Sequence, residues 1–175
     1  GLLLSRLLRW PRIVSALRAS KLRPLAGLLA LLVSGYGVSQ GMAVPQPRQI
    51  DVAIKDLPAA FDGYRVLQLT DIHASRLLTG DWVRRVVDES NALKPDLIVI
   101  TGDLIDGSVE ARRDDARPLA DLRAPDGVIA ITGNHEYYAQ YQDWMQAFRA
   151  LRMQVLENSH MQVRRGDAAP VSYTH

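Results

Sequence analysis

Three stretches of this chain run almost wholly apolar and then stop at threonine. They are Val66-Leu67-Gln68-Leu69-Thr70, Leu97-Ile98-Val99-Ile100-Thr101 and Val128-Ile129-Ala130-Ile131-Thr132. The run from Asp96 to Thr101 has no polar alternation, the pattern of a central parallel strand buried on both faces. Between the first two, Trp82, Val83, Val86, Val87 and Leu93 recur at helical spacing. They predict a helix capped by Asp81 and ended before Pro95. Ser108 to Leu122 is charged and predicted helical, Pro125-Asp126-Gly127 is a turn, and Trp144, Phe148 and Leu151 mark a further helix face. Short strands are expected around Gln154–Leu156 and Met161–Val163. Upstream, Ile50, Val52 and Ile54 alternate with Asp51 and Lys55, a strand pattern, and Pro58 and Asp62-Gly63 read as turns. The order is alternating β and α, so the chain is expected to form an α/β domain from residue 49 onward.

The first 48 residues are of another kind. Leu25 to Val44 carries no charge over twenty residues, the length of a membrane span, and residues 25–44 are predicted as a transmembrane helix. Ser34, Gly35, Gly37, Ser39, Gln40 and Gly41 dilute its second half, which suits helix packing within a membrane. Residues 1–24 form a basic juxtamembrane segment with Arg6, Arg9, Arg12, Arg18, Lys21 and Arg23. That excess places the N-terminal side in the cytoplasm and the domain beyond it on the exoplasmic side of the cell membrane. Residues 45–48, with Pro45 and Pro47, are a stiff linker.

Composition narrows the chemistry. The chain has no Cys, which excludes disulfide frameworks, thiolate zinc sites and cysteine nucleophiles. A net charge of +2, concentrated before residue 25, gives no case for nucleic acid as a partner.

The residues just past each strand carry the chemistry. The first strand continues Thr70-Asp71-Ile72-His73, the second Thr101-Gly102-Asp103, the third Thr132-Gly133-Asn134-His135-Glu136. Asp71, Asp103 and Asn134 are 32 and then 31 residues apart, the length of a β-α-β unit, so all three reach the same edge of one sheet. Ligands of open α/β sheets bind beyond the carboxyl ends of the strands, where these residues fall. Asp71 and His73, two apart in extended backbone, would point to one side and hold a divalent cation. Asp103 could reach a cation on either side, and a bridging carboxylate holds two cations about 3.5–4 Å apart, the spacing used for phosphoryl displacement. Asn134 offers a neutral oxygen to the second cation, and His135 would face the substrate as proton donor. Gly102 and Gly133 let the backbone turn sharply.

Taken together, Asp71-x-His73, Gly102-Asp103 and Gly133-Asn134-His135-Glu136 resemble the calcineurin-like metallophosphoesterases, over about residues 49 to 165. The wording of the motifs looks most like the bacterial membrane-anchored branch. The resemblance implies a four-layer α/β/β/α sandwich, of which this chain is the first half, preceded by the transmembrane helix. It also implies two divalent metal ions: Asp71 and His73 on the first, Asp103 bridging, Asn134 on the second, with His135 as the acid or transition-state stabiliser. Mn, Fe, Zn and Mg all suit such mixed donors. The expected substrate is a phosphoester, most reasonably a phosphodiester and, given the tether, a lipid-linked one.

The chain also departs from that family. Three further histidines complete the family's site, one alone and a Gly-His-x-His pair, whereas only His160 and His175 remain here and neither sits in such a motif. His160 reads as a surface strand residue. Residues 49–175 are therefore expected to be a domain truncated at its C-terminus, inactive as given. The rival reading is a non-catalytic membrane-anchored binding or scaffolding module. Elsewhere, Tyr137, Tyr138, Tyr141 and Trp144 are expected to pack in the core rather than line a substrate mouth. Arg165-Gly166-Asp167 is read as a hairpin turn. Arg112-Arg113 with Asp114-Asp115 is read as a solvated helix face.

Overall fold

The computed structural model describes residues 22–166 and 168–174, the latter group as backbone. The basic segment up to residue 21, Asp167 and His175 lie outside the described residues. The described residues fall into two compact units, divided between Ala43 and Val44.

In the first unit, helix α1 spans Leu22–Gly41, three residues earlier than the 25–44 expected. Its apolar side chains, among them Leu28, Leu31, Val33 and Val38, are exposed. Among the described residues no helix is long and apolar enough to cross a membrane. Arg23 and Pro24 at the start of α1 and the glycines, serines and glutamine from Ser34 to Gly41 all lower its hydropathy.

The second unit is built on a parallel sheet of β1 (Val66–Leu69), β2 (Leu97–Thr101), β3 (Val128–Ile131) and β4 (Gln154–Val155), in that spatial order. The register is continuous, Leu69 opposite Ile100 and Thr101 opposite Ile131, so the carboxyl ends of the first three strands share one edge. Helices α2 (Gly80–Ala92), α3 (Val109–Ala116), α4 (Asn134–Tyr138) and α5 (Tyr141–Ala150) fill the connections.

Alternation along the strands divides the core in two. Ile98, Ile100 and Ala130 face the helices and pack with Val83, Val87, Trp144, Met145 and Phe148. Leu97, Val99 and Ile129 face the other way, against Phe61, Leu156 and Val163. Val163 belongs to an antiparallel hairpin of β5 (His160–Arg165) and β6 (Ala168–Thr174). The sheet thus carries helices on one face and a β layer on the other. The turn between β5 and β6 includes Gly166 in left-handed conformation, as a hairpin there requires.

Several local expectations need correction. Asp81 lies in the first turn of α2 rather than at its cap. Thr79 precedes the helix, and the Gly80 N–H is taken by Asp115 Oδ1 at 2.8 Å. Asp115 also pairs with Arg112 at 2.7 Å in a largely shielded position, so this part of α3 is packed against α2 and not simply solvated. The helix expected over Ser108–Leu122 is α only to Ala116. A 3-10 turn, Arg117–Asp121, succeeds it because Pro118 has no N–H to continue the ladder. Ser108 caps α3 as its residue type suggests, its hydroxyl accepting from Ala111 N–H. Residues 49–55 form no strand. Ile50, Val52 and Ile54 stay exposed, since alternation makes a strand only where a neighbour offers ladder bonds and a surface to half-bury against.

Candidate metal centre

Beyond β1 and β2 the chain runs on as two adjacent loops. Asp71 N–H donates to Gly102 O, His73 N–H to Asp103 O, Ala74 N–H to Leu104 O, and Asp106 N–H returns to Ala74 O. The loops are sharply bent: Asp71, His73 and Asp103 have φ of 53°, 45° and 53°. Left-handed backbone at three non-glycine residues is costly, of order 1–3 kcal/mol each, and marks sites where the surroundings enforce the geometry. It also corrects the reason for pairing Asp71 with His73. They are not on one side of an extended strand; two left-handed turns bring Asp71 Oδ1 to 3.8 Å from His73 Nε2.

The third loop joins through Glu136. Its carboxylate is fully buried and accepts three backbone N–H groups: Leu104 at 2.7 Å, Gly133 at 2.8 Å and Asp103 at 3.1 Å. Three such bonds to an ionised acceptor compensate its removal from water. Close approach is made possible by glycines. Gly102 has φ of +99°, and a Cβ there would strike Gly133 N, while a Cβ on Gly133 would strike the Asp103 carboxylate. The Asp103 Oδ1 accepts the His135 N–H at 2.9 Å and so fixes the start of α4.

These ties gather His73, Asp103 and His135 so that one donor atom from each lies within 4.8 Å of the others. The two imidazoles meet edge to face with centroids 4.4 Å apart. Asp106 underlies both rings: its Oδ1 is 2.9 Å from His73 Nδ1 and 2.6 Å from His135 Nδ1. Burial pushes the Asp106 carboxyl up, but the hydrogen bonds from His73 and His135 outweigh it and hold the carboxyl below the usual range. An ionised Asp106 only accepts, so both Nδ1 atoms carry hydrogen and both Nε2 atoms are left for other partners. His73 is pulled both ways. Burial lowers its pKa, yet the bond to Asp106 and the charges of Asp106, Asp103 and Asp71 leave it raised.

Nitrogen and carboxylate donors at this spacing fit a divalent cation. Of the residues expected from sequence, Asp71, His73, Asp103 and His135 are brought to one place. Asn134 opens α4 beside them with its side chain exposed. His135, expected as an acid apart from the ligands, stands within the donor cluster itself. Asp106 was missed, though its position three residues after Asp103 in the same loop was a usable signal. The aromatic set divides. Trp144 is buried, its indole N–H donating to Gly107 O, and Tyr141 packs half-buried against the core, whereas Tyr137 and Tyr138 are 62% and 78% exposed and do not pack in the core as expected. Tyr138 lies edge-on to the His135 ring at 5.7 Å. His160 is exposed at the start of β5.

The donor cluster thus lies beyond the carboxyl ends of a parallel sheet, where open α/β folds bind their ligands. A family model for calcineurin-like phosphoesterases matches residues 64–167, and the chain belongs to that family. It is similar to a protein of Danio rerio described as a transmembrane protein with metallophosphoesterase domain, 32% identical over 142 residues, covering 81% of this chain and 32% of the relative. A Bos taurus protein of the same description is 31% identical over 148 residues, 83% of this chain and 33% of the relative. An uncharacterized metallophosphoesterase of Helicobacter pylori (strain J99) is 32% identical over 133 residues, 74% of this chain and 35% of the relative. The chain therefore spans about a third of the length of these relatives. No solved structure matches it.

Proposed function

We propose that this chain carries the first part of the active site of a metal-dependent phosphodiesterase. The observation that supports the reading best is the convergence of His73, Asp103 and His135 donor atoms within 4.8 Å at the carboxyl edge of the sheet. Asp71 and His73 would hold one divalent cation, Asp103 would bridge to a second, and Asn134 would serve the second. When bound, such cations supply positive charge that draws off electron density from the phosphoryl oxygens.

The chain's own residues do the rest. Asp106 holds His73 and His135 in one tautomer and one orientation. With Nδ1–H committed to Asp106, His135 would act as an acid only after Nε2 takes up a second proton; the imidazolium would pass that proton to the departing alkoxide and return to its Nδ1–H form. Glu136 keeps the Asp103 and Gly133 loops in place without touching the substrate. Tyr138, exposed beside His135, forms the rim that a substrate passes.

The chain alone is proposed to be inactive, because Asp71, His73, Asp103 and Asn134 form only part of the ligand set the resemblance calls for. Membrane association is supported by the description of the Danio rerio and Bos taurus relatives as transmembrane proteins and by the exposed apolar side chains of α1, which carries no charge after Arg23. Substrates with a lipid-linked phosphate would suit that location. Exoplasmic placement of the domain, expected from the charge asymmetry, remains part of this proposal and rests on the basic residues that precede residue 25.

The test is hydrolysis of bis-p-nitrophenyl phosphate with Mn²⁺, by this chain and by the protein extended to the length of its relatives. Turnover is expected only from the extended protein, and it should vanish on Asp103→Asn. Silence of the extended protein would favour a binding or scaffolding module. Turnover by the short chain, lost on Asp103→Asn, would show that these residues suffice.

A further inference from the structure

The edge of the sheet opposite the metal centre holds a cleft of about 600 Å³. Its floor is apolar, formed by Pro95, Leu122 and Ala124, and three cations stand around it: Lys94, Arg123 and Arg152. They come from the segments that enter β2, β3 and β4, so adjacent strands of the sheet bring them together.

None of the three makes an ion pair or a side-chain hydrogen bond among the described residues, and the carboxylates close by are already engaged. Asp121 is bonded to Arg84, and Asp96 is bonded to the Arg65 N–H and to Arg165. Asp126 takes Tyr64 and Arg165. The carboxyl of Asp121 is lowered first by Arg84 and further by the charges of Arg123 and Arg152, so both guanidinium groups bear on the same point.

Helix ends give the plainest alternative use for such cations. Lys94 and Arg152 each lie two residues past a helix, α2 ending at Ala92 and α5 at Ala150. A helix C-terminus carries about half a negative charge, so two of them offset roughly one of the three cations. Arg123 lies two residues past only the short 3-10 turn Arg117–Asp121, whose five residues carry a smaller dipole. About two positive charges stay uncompensated above an apolar floor, and guanidinium groups match phosphate oxygens in fork geometry.

We propose that this cleft is a second anion site, which takes a phosphate-bearing ligand through Lys94, Arg123 and Arg152. The ligand is a compact di- or polyanionic phosphate, and its source is either a free phosphate or the headgroup of an anionic lipid. The site is separate from the metal centre and does not depend on the chain's hydrolysing anything.

The test is calorimetric titration of pyrophosphate into the full 175-residue chain in EDTA, which silences the metal centre as a phosphate binder. The Arg123→Gln/Arg152→Gln double variant is compared, its fold verified by circular dichroism and thermal melting. Both side chains are exposed, so the variant should fold normally. Saturable binding is expected in the parent and about tenfold or more weaker binding in the variant, the loss of two charge-assisted contacts. Flotation with phosphatidic acid vesicles against phosphatidylcholine vesicles forms the second arm. No response to pyrophosphate, with a phosphatidic acid preference lost in the variant, assigns the site to a lipid headgroup. Binding unchanged by the double substitution, or absent in both arms, overturns the proposal.

Discussion

Asp106 Oδ1 lies 2.6 Å from His135 Nδ1 and, with the same oxygen, 2.9 Å from His73 Nδ1. One carboxylate oxygen therefore sets the hydrogen position on the imidazoles of two different strand-end motifs. Replacement by asparagine keeps the shape but removes the charge and half the acceptor capacity. Asp106→Asn is expected to weaken Mn²⁺ binding by about 10–100-fold, the usual cost of losing a partner behind a ligating histidine. Electron paramagnetic resonance of free Mn²⁺ reads this directly, without any need for turnover. Unchanged affinity would mean that Asp106 does not orient the ligands.

The raised pKa of His73 gives metal binding a direction with pH. Its ring nitrogen must shed a proton to take a cation, and the neighbouring carboxylates make that proton harder to lose. Affinity for Mn²⁺ should rise as pH climbs through and above the ordinary histidine value of about 6.5 and fall away below it. In Asp106→Asn, which removes the foremost of the groups that raise His73, the same transition should move to lower pH. Parallel, unshifted profiles in the two proteins would argue against His73 as the competing group.

Glu136 is fully buried and satisfies three N–H groups from two loops. Glutamine there would turn an NH₂ toward backbone donors and lose the charge. Glu136→Gln is expected to destabilise the domain by about 2–4 kcal/mol, from one buried donor left unpaired and weaker bonds to the others. Urea unfolding monitored by tryptophan fluorescence gives the number. A loss below the error of the method would mean that the loops hold together by other means.

Away from the site, Asp96 links the starts of β1 and β2 and reaches the hairpin through Arg165. Its carboxyl is held below the usual range, first by the Arg65 N–H and then, against some burial, by Arg165. A lowered folded-state pKa means stability that is present above the unfolded value of about 3.9 and is lost as pH falls through the folded value. The stability advantage of the parent over Asp96→Asn should therefore be full near neutrality and shrink below about pH 4. A constant difference across that range would place the contribution elsewhere.

Legibility in the sequence followed a simple physical line. Val66–Leu69, Leu97–Thr101 and Val128–Ile131 could be read because buried strands leave long apolar runs, and their motifs because ligand-type side chains abut those runs. The bond that orients His73 and His135 could not, because it depends on how a loop folds back to place Asp106. Nor could the left-handed turns at Asp71 and His73: Asp and His take positive φ more readily than most residues, but only a minority of them do, and residue type alone does not single these two out. Ile50, Val52 and Ile54 misled for the opposite reason: the pattern is local, whereas a strand is a relation between two segments. Glu136 was visible as a letter of the third motif, but its work inside the second loop was not. The tyrosines after it were assigned to the core by residue type, although Tyr137 and Tyr138 stand out from a five-residue helix.

The Gly102–Gly133 contact, with Glu136 spanning it, has a consequence for how such sites can change. A glycine in one loop leaves room for the backbone of another, and a side chain in the third supplies the acceptor that the second lacks. No one loop contains a complete set of instructions. Drift in any of them must be answered in the others, so the smallest piece that can be exchanged between relatives, or grafted onto a new sheet, is all three loops at once.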